Sequence, residues 1–279
     1  MSVSIHSAPK GAAPDATMRL SGSDTPAAVA VRGLRKTFGD VVAVDDLNLQ
    51  VPAGVLFGFL GPNGAGKTTT IACMTGLQEP TAGNIELLGC RFHSSSVALK
   101  RRIGVMPQNL ALFDHLCAPE FLLFQASMFG LDAGEAEKRV TELLDALELS
   151  HALRRRLADF SSGMRKKVAF AAAVVHSPEI LFLDEPFESI DPNGVATMKR
   201  WLREFVSSGR TVFVTTHVLD TVERFCDRAA ILNAGRLAWE GDLKVGAQAN
   251  FEWQGSRFHS LEDLFLEIVG HTGAVPAWL

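Results

Sequence analysis

Apolar residues in this chain follow two patterns, short runs with a period of two and longer stretches with a period near 3.6. Leu47, Leu49 and Val51 alternate with polar residues after the run Val41-Val42-Ala43-Val44, and turn signals stand at Gly39-Asp40 and Pro52-Ala53-Gly54. These spacings predict short strands joined by tight turns. Val55 to Leu60 is apolar throughout and reads as a buried strand, followed by a glycine-rich loop and a helix from Lys67 to about Leu77. Farther along, Val140, Leu143, Leu144 and Leu147 mark one helical face, with Asp132 and Glu135 as a capping box at its start. Strand character returns at Ile180 to Leu183 and Thr211 to Thr216, with a helical stretch from about Gly194 to Ser207 between them. Such alternation predicts an α/β fold with a parallel sheet and crossover helices. A hairpin is expected at Ala230-Ile231-Leu232, turning through Asn233-Ala234-Gly235 into Arg236 to Trp239.

Residues 1–27 are rich in Ala, Ser, Pro and Gly without periodicity and read as a disordered tail. The remainder is long enough to bury a full core, since the chain has 279 residues and is 47% hydrophobic. A net charge of -4 makes no electrostatic case for nucleic acid as a partner. Cys73, Cys90, Cys117 and Cys226 lie far apart without metal-ligand spacing and read as core thiols in a reducing compartment. Apolar runs such as Ala169 to Val175 fall short of the roughly 18 to 20 residues that cross a bilayer. No secretory signal opens the chain. A cytoplasmic protein is expected, with any membrane role reached through a partner.

Gly61-Pro62-Asn63-Gly64-Ala65-Gly66-Lys67-Thr68 fits the phosphate-loop pattern G-x-x-x-x-G-K-S/T between an expected strand and an expected helix, with Thr69 next in line. Glycines at those places let backbone N–H groups turn inward around phosphate oxygens, and the helix N-terminus adds positive potential. Lys67 is then a ligand of the β and γ phosphates and the Thr68 hydroxyl a ligand of Mg²⁺. Asp184, at the end of the apolar run before Glu185, is placed to support Mg²⁺ directly or through water. That leaves Glu185 to orient or deprotonate an attacking water. No NKxD occurs, which favours ATP over GTP.

Together these residues resemble the nucleotide-binding subunit of ATP-binding cassette (ABC) transporters, over roughly Val29 to Gly241. The resemblance implies a P-loop NTPase with a RecA-like core, a small antiparallel β region and an inserted helical subdomain at about 95–168. The cassette would span 28–245, with 246–279 a C-terminal extension. Phe160-Ser161-Ser162-Gly163-Met164 stands where that family carries its signature, usually LSGGQ, whose helix N-terminus reaches the γ-phosphate held by another subunit. Ser161, Ser162 and Gly163 therefore count as nucleotide contacts made across a dimer. Phe38 stands where the family stacks an aromatic ring on adenine. Gln108 resembles the Q-loop glutamine, which approaches Mg²⁺ and the attacking water. Ser189-Ile190-Asp191 resembles the loop that crosses the dimer seam, which brings Asp191 to the nucleotide, and His217 resembles the switch histidine.

Three departures stand out. Ser162 replaces a signature glycine, which is strained if that residue needs a positive φ and unstrained if it does not. Phe160 replaces leucine, and Phe187-Glu188 adds bulk and charge where small residues are usual. Arg154-Arg155-Arg156 and Arg165-Lys166-Lys167 are expected to line solvent or the dimer surface. The apolar segment from Leu112 to Phe124 is either simple core or part of a groove that receives a helix of a membrane partner.

The resemblance thus implies an ATPase that closes as a homodimer, or a heterodimer with a related subunit, around ATP and Mg²⁺. It would power a separate integral membrane permease, most consistent with export, from the cytoplasmic face of the membrane. A soluble ATPase of a scaffold complex, of the iron-sulfur assembly type, is the alternative.

Overall fold

The computed structural model describes residues 27–243 and 251–270. The expected tail at 1–27 lies outside them but for its last residue, as do parts of the C-terminal extension. The chain opens with β1 (Ala27–Phe38) and β2 (Val41–Pro52), an antiparallel pair that turns at Gly39-Asp40. Next come β3 (Leu56–Leu60), α1 (Lys67–Met74), β4 (Ala82–Leu87), β5 (Cys90–Arg91), α2 (Val97–Lys100) and β6 (Ile103–Met106). Three helices follow, α3 (Ala118–Met128), α4 (Ala133–Ala146) and α5 (Ser162–Val174). The chain then alternates through β7 (Ile180–Asp184), α6 (Pro192–Ser207), β8 (Thr211–Thr215) and α7 (Leu219–Phe225). It continues with β9 (Arg228–Asn233), β10 (Arg236–Asp242), the hairpin β11 (Phe251–Trp253) and β12 (Ser256–Phe258), and α8 (Leu261–Val269).

These strands build a six-stranded sheet in the order β10-β9-β3-β8-β7-β6 and a four-stranded sheet in the order β2-β1-β4-β5. Within the first, β9, β3, β8, β7 and β6 run parallel, and only β10 is antiparallel. A parallel sheet covered on both faces needs strands that are apolar throughout. β3 and β7 meet this: Phe57, Phe59, Ile180 and Phe182 join the core against the antiparallel sheet and α1, while Leu56, Leu60, Leu181 and Leu183 join the core under the helices. Phe213 centres the first core, with ring centroids 5.5 Å from Phe57, 5.3 Å from Phe59 and 5.7 Å from Phe182. Each such buried ring contributes about 1.5–3 kcal/mol by area.

The α4 stripe packs as its spacing predicts, with Val140, Leu144 and Leu147 buried and Leu143 partly so. Its expected capping box forms only by half. Asp132 accepts from the Glu135 N–H at 3.0 Å, but the Glu135 carboxylate turns to Arg139 Nε at 2.6 Å, because a cation one turn ahead outcompetes the cap. A complete box occurs instead at Cys117 and Glu120 on α3. α1 ends at Met74 rather than near Leu77, its exit made by Gly76 at φ +70°. β6 falls inside the span expected for the helical subdomain, yet it pairs with β7 and so belongs to the central sheet. Of the cysteines, Cys73 and Cys226 are core residues, but Cys90 is exposed, on the two-residue edge strand β5. α8 and the β11–β12 hairpin add Phe251, Leu261, Leu264 and Ile268 to the helical core, so this part of the extension is packed on the cassette.

Candidate functional site: a nucleotide cleft at the end of the parallel strands

β3 delivers the chain into the loop Gly61 to Gly66, and α1 begins at Lys67. Glycine is required where the loop passes other backbone: a Cβ on Gly61 would stand 2.4 Å from the Leu232 carbonyl oxygen, and one on Gly66, at φ +102°, 2.4 Å from that of Ala43. The Ala65 N–H donates to the Pro62 carbonyl at 3.1 Å, closing the turn. Gly66 caps α1 without a side chain, so no capping side chain occupies the first N–H groups of that helix.

The Lys67 side chain folds back over the loop, donating to the carbonyls of Gly61 (2.7 Å) and Pro62 (3.2 Å). Burial lowers its pKa, while the Glu185 and Asp184 carboxylates oppose that shift. Asn63 to Thr69, Gln108, Asp184 and Glu185 line one cleft of about 200 Å³, joined by Ala43 from β2. The Thr68 hydroxyl lies 3.4 Å from Gln108 Oε1, the latter on the segment that leaves β6.

Asp184 ends β7, and its carboxylate accepts from the Thr215 hydroxyl at the end of neighbouring β8. Glu185 follows at φ +49°, a left-handed backbone that costs a non-glycine residue about 1–2 kcal/mol. Its N–H donates to both the Thr215 carbonyl and hydroxyl at 3.2 Å. Its carboxylate meets His217 Nδ1 at 3.1 Å, from the loop after β8, and its carbonyl accepts from Lys166 Nζ at 2.7 Å. Thr215 and Lys166 are functional neighbours that the sequence analysis missed. Nothing in a β-strand pattern distinguishes Thr215. Lys166, by contrast, had a signal in the acidic run at 185–191, which calls for a cation.

The remaining expected site residues do not line this cleft. Phe38 ends β1 with its ring 46% exposed and Lys36 Nζ 4.9 Å from its centroid. Ser161 is the N-cap of α5 and accepts from the Met164 N–H at 3.3 Å. Ser162 is the first helical residue and has no positive φ, so it fits this backbone without strain. Gly163 is the position that needs glycine, since a Cβ there would stand 2.5 Å from the Ser189 carbonyl oxygen. Asp191 caps α6, accepting from the Gly194 N–H at 2.8 Å, and pairs with Lys167 at 2.8 Å. These two partners hold its carboxyl below the usual range, Lys167 contributing most.

The expectation that Arg165-Lys166-Lys167 lines solvent or the dimer surface is corrected for the lysines. Both are only 6% exposed, because the face of α5 that carries them packs on the loop between β7 and α6, where a carbonyl and carboxylates receive them. Arg165 also turns inward, to Asp114 and the Leu157 carbonyl. Glu188, a departure from the small residues usual in the family that the sequence resembles, pairs with Lys166 at 3.2 Å, and Phe187 packs edge-on against Phe225.

A phosphate-shaped loop at the head of one parallel strand, with a carboxylate pair ending another strand of the same sheet, defines a P-loop nucleoside triphosphatase. The chain belongs to the ABC transporter family: the family profile of that description matches residues 44–188. It is an ATP-binding and ATP-hydrolysing cassette. The daunorubicin resistance ATP-binding protein DrrA3 of Streptomyces coeruleorubidus is 36% identical over 90% of this chain and 78% of its own length. The Nod factor export ATP-binding protein I of Cupriavidus metallidurans is 34% identical over 88% of this chain and 83% of its own. Among solved structures, an ATP-binding subunit of an ABC transporter superposes with a TM-score of 0.76 at 30% identity, covering 86% of this chain and 98% of its own. A dimeric bacterial ABC transporter cassette superposes with a TM-score of 0.72 at 25% identity, over 78% of this chain and 99% of its own.

Proposed function

We propose that this chain is the ATPase subunit of an exporter and works as a dimer of cassettes beneath a separate integral membrane permease. One observation carries the reading. The cleft is lined by residues 63–69 of the phosphate loop, while Ser161, Ser162 and Gly163 at the head of α5 do not line it. A helix N-terminus with free N–H groups suits a phosphate, and a second copy supplies one through its own loop. Kinship with proteins named for drug resistance and Nod factor export supports the direction of transport.

In this reading the backbone of Gly61 to Thr69 cradles the phosphates of ATP, with Lys67 as the counter-cation. Phe38 stacks on adenine through its exposed face. Thr68, Gln108 and Asp184 would hold Mg²⁺. They fit that ion: all three present oxygen, and a single carboxylate leaves the other positions to water and phosphate, as Mg²⁺ prefers. Bound there, Mg²⁺ would neutralise phosphate charge. Glu185 orients or deprotonates the attacking water, and His217, 3.1 Å from its carboxylate, contacts the γ-phosphate as the switch histidine. Asp191 sits at the dimer seam.

Residues 28–245 form the cassette and 246–279 an extension of it. No helix among the described residues is long and apolar enough to cross a membrane. In this reading the chain sits on the cytoplasmic face through its permease. The receiving surface is a mostly apolar groove of about 310 Å³ between α3, α5 and the strand β6, with Leu110, Leu112, Phe121, Phe129 and Ala169 in its walls. A permease helix laid there leans on the segment that carries Gln108.

The test is affinity isolation of the Glu185→Gln protein with ATP and Mg²⁺ from gently solubilised membranes. A polytopic permease recovered in fixed proportion supports the reading. Recovery of soluble assembly proteins alone overturns the transport role and leaves the ATPase in place.

A further inference from the structure

We infer that Lys166 is a positioning residue for hydrolysis, tying the head of the signature helix α5 to the backbone of Glu185 in the same chain. Its ammonium, buried with the rest of the side chain, donates to the Glu185 carbonyl at 2.7 Å and pairs with Glu188 at 3.2 Å. The residue it holds is the one with the left-handed backbone at φ +49°. A conformation of that kind persists only where surrounding contacts over-determine it. Here the N–H of Glu185 is held by Thr215, its carboxylate by His217 and its carbonyl by Lys166.

Two neighbouring contacts extend the tie. Lys167 pairs with Asp191 at 2.8 Å, and the Gly163 backbone lies against the Ser189 carbonyl. Three residues of the first turns of α5, Lys166, Gly163 and Lys167, therefore meet the start, middle and end of the loop from Glu185 to Asp191. A shift of α5 when its N-terminus engages a phosphate is felt directly by Glu185 of its own chain. The inference rests on the reading of Glu185 as the group that orients or deprotonates water.

The experiment measures steady-state ATPase kinetics and thermal melting for the full chain and for Lys166→Met, Lys166→Arg, Glu188→Gln and Glu185→Gln. Lys166→Met keeps an unbranched apolar stem, shorter by the terminal atom, and removes the donor. Its kcat is expected to fall about tenfold or more with KM for ATP within about twofold, the signature of a contact that matters in the transition state. Lys166→Arg, which retains donors, recovers most of that loss, and Glu188→Gln, which leaves the bond to the Glu185 carbonyl, stays within about threefold of wild type. If Lys166→Met does not fold, Lys166→Leu, which also lacks a donor, replaces it with the same expectation.

A Lys166→Met enzyme with wild-type kcat overturns the inference. So does an equal loss in Lys166→Met and Lys166→Arg that tracks a lowered melting temperature, since that marks a packing role. An active Glu185→Gln protein refutes the role of Glu185 itself, whatever the lysine variants do.

Discussion

Gly163→Ala is the substitution whose effect the geometry fixes most tightly. The added Cβ would stand 2.5 Å from the Ser189 carbonyl oxygen, about 1 Å inside ordinary contact, and the obstacle is backbone rather than a side chain that can turn away. Either α5 or the loop from Glu185 to Asp191 has to move. Overpacking of this kind costs about 1–3 kcal/mol. Alanine at the second helical position returns up to about 1 kcal/mol of helix propensity, so the net loss expected is about 1 kcal/mol or slightly more. Ser162→Gly is the natural control. That residue is exposed and has no positive φ, so glycine there relieves nothing and loses about 0.5 kcal/mol of propensity. Urea unfolding read by fluorescence separates the two, with a midpoint about 0.5 M lower for Gly163→Ala and about half that shift for Ser162→Gly. ATP turnover should follow the same order, because the displaced loop carries Glu185. A Gly163→Ala protein with wild-type midpoint and wild-type turnover would show that the close approach is not required, and with it the link between α5 and the loop.

Further outcomes are expected from the same structure. Lys67→Ala should abolish hydrolysis, whereas Glu185→Gln should retain ATP binding and trap a dimer detectable by size-exclusion chromatography with light scattering. Thiol alkylation of the native protein at pH 8 should modify Cys90 first. Cys73, pushed up to about 11 by burial, and Cys226, raised further by the same cause, should stay unlabelled until the chain unfolds. Asp191→Asn keeps the cap on α6 but removes the pair with Lys167, for a loss of up to about 1 kcal/mol at neutral pH given how exposed the carboxylate is. Because that carboxyl is depressed from 3.8 in the folded state, its contribution is present above 3.8 and fades as pH falls through the lower folded value. Wild type and variant should therefore converge in acid, and a difference that grows there would refute the assignment.

Much of this molecule was legible in one dimension. The apolar run before Gly61, the phosphate loop, the apolar run before Asp184 and the alternation of strands with helices are local patterns, each dictated by backbone geometry over a few residues. They were enough for the α/β class and for Lys67, Thr68, Asp184 and Glu185, while Gln108, which lines the same cleft, was reached only through the family resemblance. Departures began wherever the answer depended on a neighbour distant in the chain. Ser162 read as a risk because the motif alone does not state its φ. The folded helix removes that risk and transfers the need for glycine to Gly163, through a carbonyl 26 residues onward at Ser189. Lys166 and Lys167 read as solvated because a run of cations usually is. Packing α5 on the β7–α6 loop brings their ammoniums to a carbonyl and two carboxylates that repay their burial. Sequence periodicity states which face of a helix is apolar, but not which polar groups the fold sets opposite the other face. Those pairings exist only once the sheet order β3-β8-β7 and the path of α5 across it are in place, and it is they that hold Glu185.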